Sequence, residues 1–426
     1  MKFKNCYILL LMLLAGGATA VQGQTGNTGA ATSDAGLMAQ RYTSSYDSLL
    51  NSFYLKRYPR SRHARGGEFN VEEFDAIPDS VLAARLRSLH TVVPMTYNSE
   101  VRAHIRFYLR VMSRRLSLTL LQKEQYFPIF VEALDRYGVP EELKYLTIVE
   151  SALNPMATSR VGAAGLWQFM YNTGKLYGLE VNSVVDERRD PYKSSQAAAR
   201  FLADLYRVFH DWELAIAAYN CGPGNINKAI ARSGGERNFW KIYPFLPRET
   251  RGYVPAFIAV TYVMKYYPEH GLRPEKLNLP LRSDTIDLSS DVLFHYVEQF
   301  TGVDSAELRT LNPQYRADVI PASSGHYHLA LPTSLVPTFI ANQDSIYRHS
   351  ADSLSRRPLK IEPHKSAKSG KSNAKSSSGS GRYHVVKKGD TLFNIAKRYG
   401  LTVNQLKSMN GLRKDSIKMG QRLKVR

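Results

Sequence analysis

The side chain best placed to move a proton is Glu150, which lies within PEELKYLTIVESALNP (140–155) and is followed by SRVGAAGLWQFM (159–170). The first stretch reads as a helix. Pro140 suits a first turn, Glu141 and Glu142 favour the positive end of the dipole, and Pro155 blocks continuation. Glu150 then falls near the C-terminal end, among the apolar neighbours Leu146, Ile148 and Val149. A carboxyl in such surroundings keeps its proton toward neutral pH, as a general acid must. The Gly/Ala-rich aromatic stretch that follows is of the kind that lines a sugar cleft, so the chemistry suggested is acid catalysis on a glycan. A lone Glu near a helix end is usually a solvated surface residue, and the rest of the chain decides between the two readings.

The elements that must hold this acid are helical. Val101, Ile105, Tyr108 and Met112 recur at spacings that mark one buried stripe. Further helices fit residues 123–137, 194–209, 212–219, 225–231 and 250–267, and IPDSVLAARLRSL suggests a short one capped by Asp79 or Ser80. After Pro280 the pattern changes. DTIDLS and YHLALP read as strands flanking two helical stretches separated by Gly302 and Val303. HKSAKSGKSNAKSSSGSGR has nothing to bury and reads as a flexible basic linker. A second strand, helix, helix, strand unit follows, as in a diverged internal repeat.

Lys2 and Lys4 precede an apolar run from Tyr7 to Ala15 and an A-x-A pattern at Ala18 and Ala20, the signature of a secretory signal peptide. Cys6 lies inside it, which leaves Cys221 as the one thiol of the mature chain and excludes an intrachain disulfide there. Stability must come from apolar cores. The net charge of +20 seeks a polyanion. Export and the lack of any helix-turn-helix, zinc or RNA-binding pattern argue against nucleic acid and for an anionic envelope polymer. Peripheral association with a membrane is compatible with the same charge, and nothing in the residues fixes an oligomeric state. The eleven His residues show no metal-ligand spacing, so neither metal nor cofactor is expected.

Four motifs stand in order: Glu150-Ser151, GAAGLWQFM (162–170), AYNCG (218–222) and ETRGYVP (249–255). This set resembles the lytic murein transglycosylases of the membrane-bound D type. The C-terminal VKKGDTLFNIAKRYGLTVNQLKSMNG resembles a LysM repeat, a module that binds N-acetylglucosamine-containing glycans. The resemblance implies a mainly α catalytic domain of the goose-type lysozyme (SLT) fold, followed by small α+β (βααβ) LysM-type modules. The expected layout is a signal peptide at 1–20, a low-complexity and helical lead-in at 21–92, the catalytic domain at 93–270, a degenerate LysM-like module at 284–333, a Ser/Lys/Gly-rich linker at 350–381 and a LysM domain at 382–426.

By the same resemblance Glu150 is the catalytic acid of a peptidoglycan lytic transglycosylase acting in cell-wall turnover. It would protonate the glycosidic oxygen between N-acetylmuramic acid and N-acetylglucosamine, then take a proton from the muramoyl C6 hydroxyl as that group attacks C1. Ser159 and Gln168 would bind sugar N-acetyl or hydroxyl groups, Met170 would form an apolar wall, and Tyr219 and Tyr253 would flank the cleft, Tyr219 with the more direct role. Asn220 either fixes the turn before Gly222 or touches ligand. Glu249 either orients the cleft or caps the helix near Thr250. Trp167 and Phe169 read as core. In the LysM core, Asp390 or Thr391 caps a helix and Leu392, Ile395, Ala396 and Leu406 pack. Cys221 departs from the family, where a small residue is usual, and with no His in the neighbouring motifs it reads as a small hydrophobe. A hydrolytic muramidase and an inactive wall-binding protein are the alternatives. The expected location is the periplasm or cell envelope.

Overall fold

The computed structural model describes residues 69–113, 116–273, 283–363, 383–387, 389–412 and 414–425. The expected signal peptide, the low-complexity segment after it and the basic stretch at 364–382 lie outside the described residues.

Helices α1 (Val71–Asp75) and α2 (Asp79–Arg87) come first. Neither Asp79 nor Ser80 caps α2: both lie inside the helix, with Pro78 at the cap position. The Asp79 carboxylate instead accepts from Arg102 at 2.6 Å and from the Tyr97 hydroxyl at 2.5 Å. Helix α3 (Ser99–Met112) buries Val101, Ile105, Tyr108 and Met112, the stripe read from the spacing. Helix α4 (Leu116–Arg136) begins earlier than its periodicity suggested.

The segment read as one helix from Pro140 is two. A 3₁₀ turn, Glu141–Tyr145, feeds α5 (Leu146–Ser151). Ala152 and Leu153 then adopt φ of 53° and 61°, a left-handed exit that ends the helix before Pro155 can block it. Helices α6 (Tyr171–Leu176), α7 (Pro191–Phe209), α8 (Trp212–Cys221), α9 (Pro223–Arg232), α10 (Phe239–Ile242), α11 (Arg248–Arg251) and α12 (Tyr253–Tyr266) complete this part. Asp190 caps α7 and Asp211 caps α8 with their side chains. The stretch expected as one helix over 250–267 breaks at Gly252, because Pro255 would press its ring on the Arg251 carbonyl and offers no N–H to it. Every residue of α12 from Tyr253 to Met264 is buried, the mark of a central helix. α3 packs along it, and α7 packs between α4 and α8.

The next module runs β1 (Ser283–Asp287), β2 (Val292–Leu293), α13 (Phe294–Thr301), α14 (Ser305–Leu311), β3 (Val319–Ile320), β4 (His328–Pro332) and α15 (Val336–Arg356). β1 pairs antiparallel with β4, Ser283 opposite Pro332, and β2 with β3. α15 was not foreseen and carries the module past residue 350, where a linker was expected. It packs on α13 through Phe339 and Ile346.

The last unit has β5 (Tyr383–Val385), α16 (Leu392–Tyr399), α17 (Val403–Met409) and β6 (Arg422–Lys424), with β5 and β6 antiparallel. Thr391, not Asp390, caps α16, and Thr402 with Gln405 forms a capping box on α17. This unit shares one apolar cluster with the helical bundle. Phe393 stacks on Phe201 of α7 with centroids 5.9 Å apart, and Arg207 of α7 donates to Asn404 at 2.8 Å.

Candidate active site

Glu150 occupies the last turn of α5, where the negative end of the helix dipole disfavours a carboxylate. Its side chain is half-buried, and burial raises its pKa to about 7, with the Tyr253 hydroxyl pulling in the opposite direction. That hydroxyl, at the start of α12, donates to Glu150 Oε1 at 2.5 Å. The two groups meet because α5 and the first turn of α12 pack against each other. Among the described residues no other acid contributes to the shift at Glu150. Glu213 also titrates near 7 by burial, but its carboxylate accepts from Trp240 Nε1 at 2.9 Å and Thr96 Oγ1 at 3.5 Å.

Beside the acid runs the loop 157–170, held in a narrow double turn. Ala164 and Phe169 exchange backbone hydrogen bonds at 3.1 Å, and Gly165 N donates to Ala157 O at 2.9 Å. Four other segments fasten it. Ser151 of α5 donates to Leu166 O at 2.9 Å, Tyr219 of α8 donates to Trp167 O at 2.8 Å, and Trp167 Nε1 donates to Ser195 Oγ of α7 at 2.9 Å. Arg188 donates to Gly162 O at 2.7 Å and Phe169 O at 3.1 Å. Gly165 has φ of 84°, and a Cβ there would lie 1.8 Å from the Arg188 carbonyl oxygen, so only glycine lets the two backbones touch.

Within this frame the residues singled out from the sequence fall as follows. Ser159 Oγ accepts from Ala163 N at 3.0 Å and closes its own turn. Gln168 is itself left-handed, φ 48°, and its amide donates to Gly165 O at 2.8 Å. Met170 is 44% exposed, an apolar face open to solvent. Tyr253 donates to the acid directly, and the Tyr219 hydroxyl, expected to have the more direct role, donates to the loop backbone at Trp167 O while standing close enough to feel the Glu150 charge. Asn220 Oδ1 accepts from Thr250 Oγ1 at 3.0 Å and so ties α8 to α11. Glu249 lies inside the first turn of α11, whose cap position is Pro247. Trp167 and Phe169 are buried, as read. Burial lifts the Cys221 thiol to about 11, which leaves no thiolate for nucleophilic work at neutral pH.

Two contributors escaped the sequence reading. Ser151 was noted only as part of the motif, yet it joins the acid's helix to the loop. Arg188 sits in the charge run DERRDP, which reads as solvated surface, yet it is 4% exposed and bonded to Asp186, 1% exposed, through Nε and Nη2, one edge of its guanidinium, each at 2.8 Å. The signal that could have found it is the crowding of charge just before the Asp190 cap of an apolar helix.

Comparison with known proteins places familiar units on these segments. Residues 128–242 match the transglycosylase SLT domain, 282–348 the LysM-like domain of lytic transglycosylase MltD, and 384–426 the LysM domain. The chain is 32% identical over 332 residues to the membrane-bound lytic murein transglycosylase D of Escherichia coli, covering 77% of this chain and 69% of that one. It is 30% identical over 158 residues to the soluble lytic murein transglycosylase of the same organism, covering 34% of this chain and 24% of that one. The 70 kDa soluble lytic transglycosylase of Escherichia coli overlaps 57% of this chain and 44% of its own, at 19% identity and a TM-score of 0.31.

Proposed function

This chain belongs to the membrane-bound lytic murein transglycosylase D family, and from that membership we propose that Glu150 carries both proton transfers of a peptidoglycan lytic transglycosylase. The observation that carries the reading is a single half-buried carboxyl, poised near pH 7, with a phenol as its hydrogen-bond partner. Near neutrality a large fraction of Glu150 holds its proton and can give it to the glycosidic oxygen between N-acetylmuramic acid and N-acetylglucosamine. The carboxylate that remains is steadied by the Tyr253 hydroxyl until it takes the proton of the muramoyl C6 hydroxyl. That oxygen bonds to C1 of its own sugar as the leaving N-acetylglucosamine departs, so a 1,6-anhydro ring closes and no water is consumed.

One carboxyl suffices because the nucleophile is already tethered to the reacting carbon, and a tethered group replaces much of what a second acid supplies. Retaining and inverting hydrolases instead use two carboxylates at set separations. Glu213, an acid among the described residues that also titrates near 7, is spent on Trp240 and Thr96, which supports the single-acid route over water attack. Ser159, Gln168, Met170 and Asn220 form the sugar-binding wall in this proposal, with Glu249 at its edge. The C-terminal LysM unit retains the enzyme on murein. The signal peptide at 1–20 would deliver the chain to the cell envelope. Among the described residues no helix is long and apolar enough to cross a membrane.

The protonation state of Glu150 sets the direction of the pH dependence. The first step needs protonated Glu150, so kcat/KM on soluble glycan oligomers should fall as pH rises through about 7, by roughly tenfold per unit beyond it. The free-enzyme profile from pH 5 to 9 measures this. A profile flat across that range would remove Glu150 from the acid role.

A further inference from the structure

We propose that the middle module, residues 283–363, is an intramolecular clamp on the 157–170 sugar-binding loop, acting through the Asp186–Arg188 pair. The proposal rests on the function given to that loop above.

The seam is continuous. Val184 and Val185 leave the helical bundle and are buried in the module's own core with Phe294, Tyr315 and Leu329. Asp186 N donates to Gln314 O at 2.8 Å, and Arg316 N donates to Val184 O at 2.7 Å, so the 184–186 backbone pairs with 314–316 of the module in one antiparallel bridge centred on Val185 and Tyr315. Ser183 N donates to Glu362 O at 2.8 Å on the far side. Side chains close the ends: Tyr327 donates to Glu180 Oε2 at 2.7 Å and Arg316 Nη1 to Asn182 O at 3.2 Å.

From this seam the Asp186–Arg188 pair leads to the loop. The Asp186 amide is fixed by the module and its carboxylate grips Arg188 in a buried fork. Arg188 Nη1 holds the carbonyls of Gly162 and Phe169. Those two carbonyls flank the double turn that presents Gln168, and the Arg188 carbonyl is the surface on which Gly165 rests. A planar, bidentate guanidinium transmits position in a way that a lysine cannot. The module's elements are thus spent on bracing the bundle, which gives the LysM-like unit a positioning role in place of glycan capture.

Three full-length variants test this. Tyr327→Phe is the mild one, Tyr327→Phe with Arg316→Ala loosens the seam further, and Arg188→Lys breaks the fork. Amide exchange of residues 162–169, read by mass spectrometry, should quicken in the seam variants. On oligomers too short to span two binding sites, kcat/KM should fall roughly tenfold, carried by KM, with the pH midpoint unmoved. Combining the seam changes with Arg188→Lys should cost no more than the larger single effect, because both act through one path. Additive losses, or unchanged exchange and KM in the seam variants, would overturn the clamp. Glu150→Gln serves as the control: it should be inactive with wild-type loop exchange. Activity in that variant would defeat the functional reading while leaving the exchange result to judge the clamp.

Discussion

Replacing Glu150 by Gln should lower murein turnover by roughly 10² to 10⁴-fold, the usual worth of a positioned acid or base, while the variant protein becomes more stable above neutral pH. The amide keeps the shape and still accepts from Tyr253, but it can neither give nor take the proton. The stability gain follows from linkage. Glu150 has a pKa raised from 4.5 to about 7 in the folded chain, so between those values the native state binds more protons than the unfolded one. Stability from this group is therefore present in full below about pH 4.5 and is lost as pH rises through 7, a cost of up to about 3 kcal/mol. Gln removes that cost. Thermal melts should show a higher Tm for the variant at pH 8 and no difference at pH 4. Activity within tenfold of wild type, or equal Tm at pH 8, would count against the acid assignment.

Gly165→Ala should be the most damaging change in the loop. Its φ of 84° already disfavours any Cβ, and the new methyl would stand 1.8 Å from the Arg188 carbonyl oxygen, a backbone atom that cannot rotate away. The expected loss is about 3 kcal/mol or more of stability, together with a fall in kcat/KM of roughly 10²-fold as the loop shifts against the acid. Gly162→Ala provides the contrast. Its φ is 85°, but nothing lies within 4 Å of the added carbon, so only the backbone strain of about 1 to 2 kcal/mol applies. Melting curves and initial rates for the pair decide the matter. Equal effects at both positions would show that the Arg188 contact does not set the loop.

What the sequence disclosed, and what it hid, follows from where each signal resides. The α3 stripe was legible because its apolar side chains repeat on one face, and the four ordered motifs located Glu150 and the loop 162–170. The meeting of Glu150 with Tyr253 is a contact across more than a hundred residues, which no local spacing states. Tyr219 and Tyr253 look alike in the sequence, and only the packing of α5 on α12 shows that Tyr253 is the phenol that donates a hydrogen bond to the acid. Helix α15 stayed hidden because its buried positions are few, Phe339, Ile346 and Ser350, in an otherwise polar stretch. Arg188 was masked by its charge. Phe393 was left out of the expected LysM core, and the structure buries its ring against Phe201 of the bundle, a contact between distant segments that no local spacing states.

In this mechanism the nucleophile is the muramoyl C6 hydroxyl, and one acid acts twice. Digestion of murein by the full-length protein in oxygen-18 water, with mass spectrometry of the released muropeptides, separates it from attack by water. Internal attack predicts new muramoyl ends that carry no label, resist borohydride and weigh one water less than hydrolytic ends. Labelled, reducing ends as the main product would show that water reaches C1 and would contradict the single-acid account.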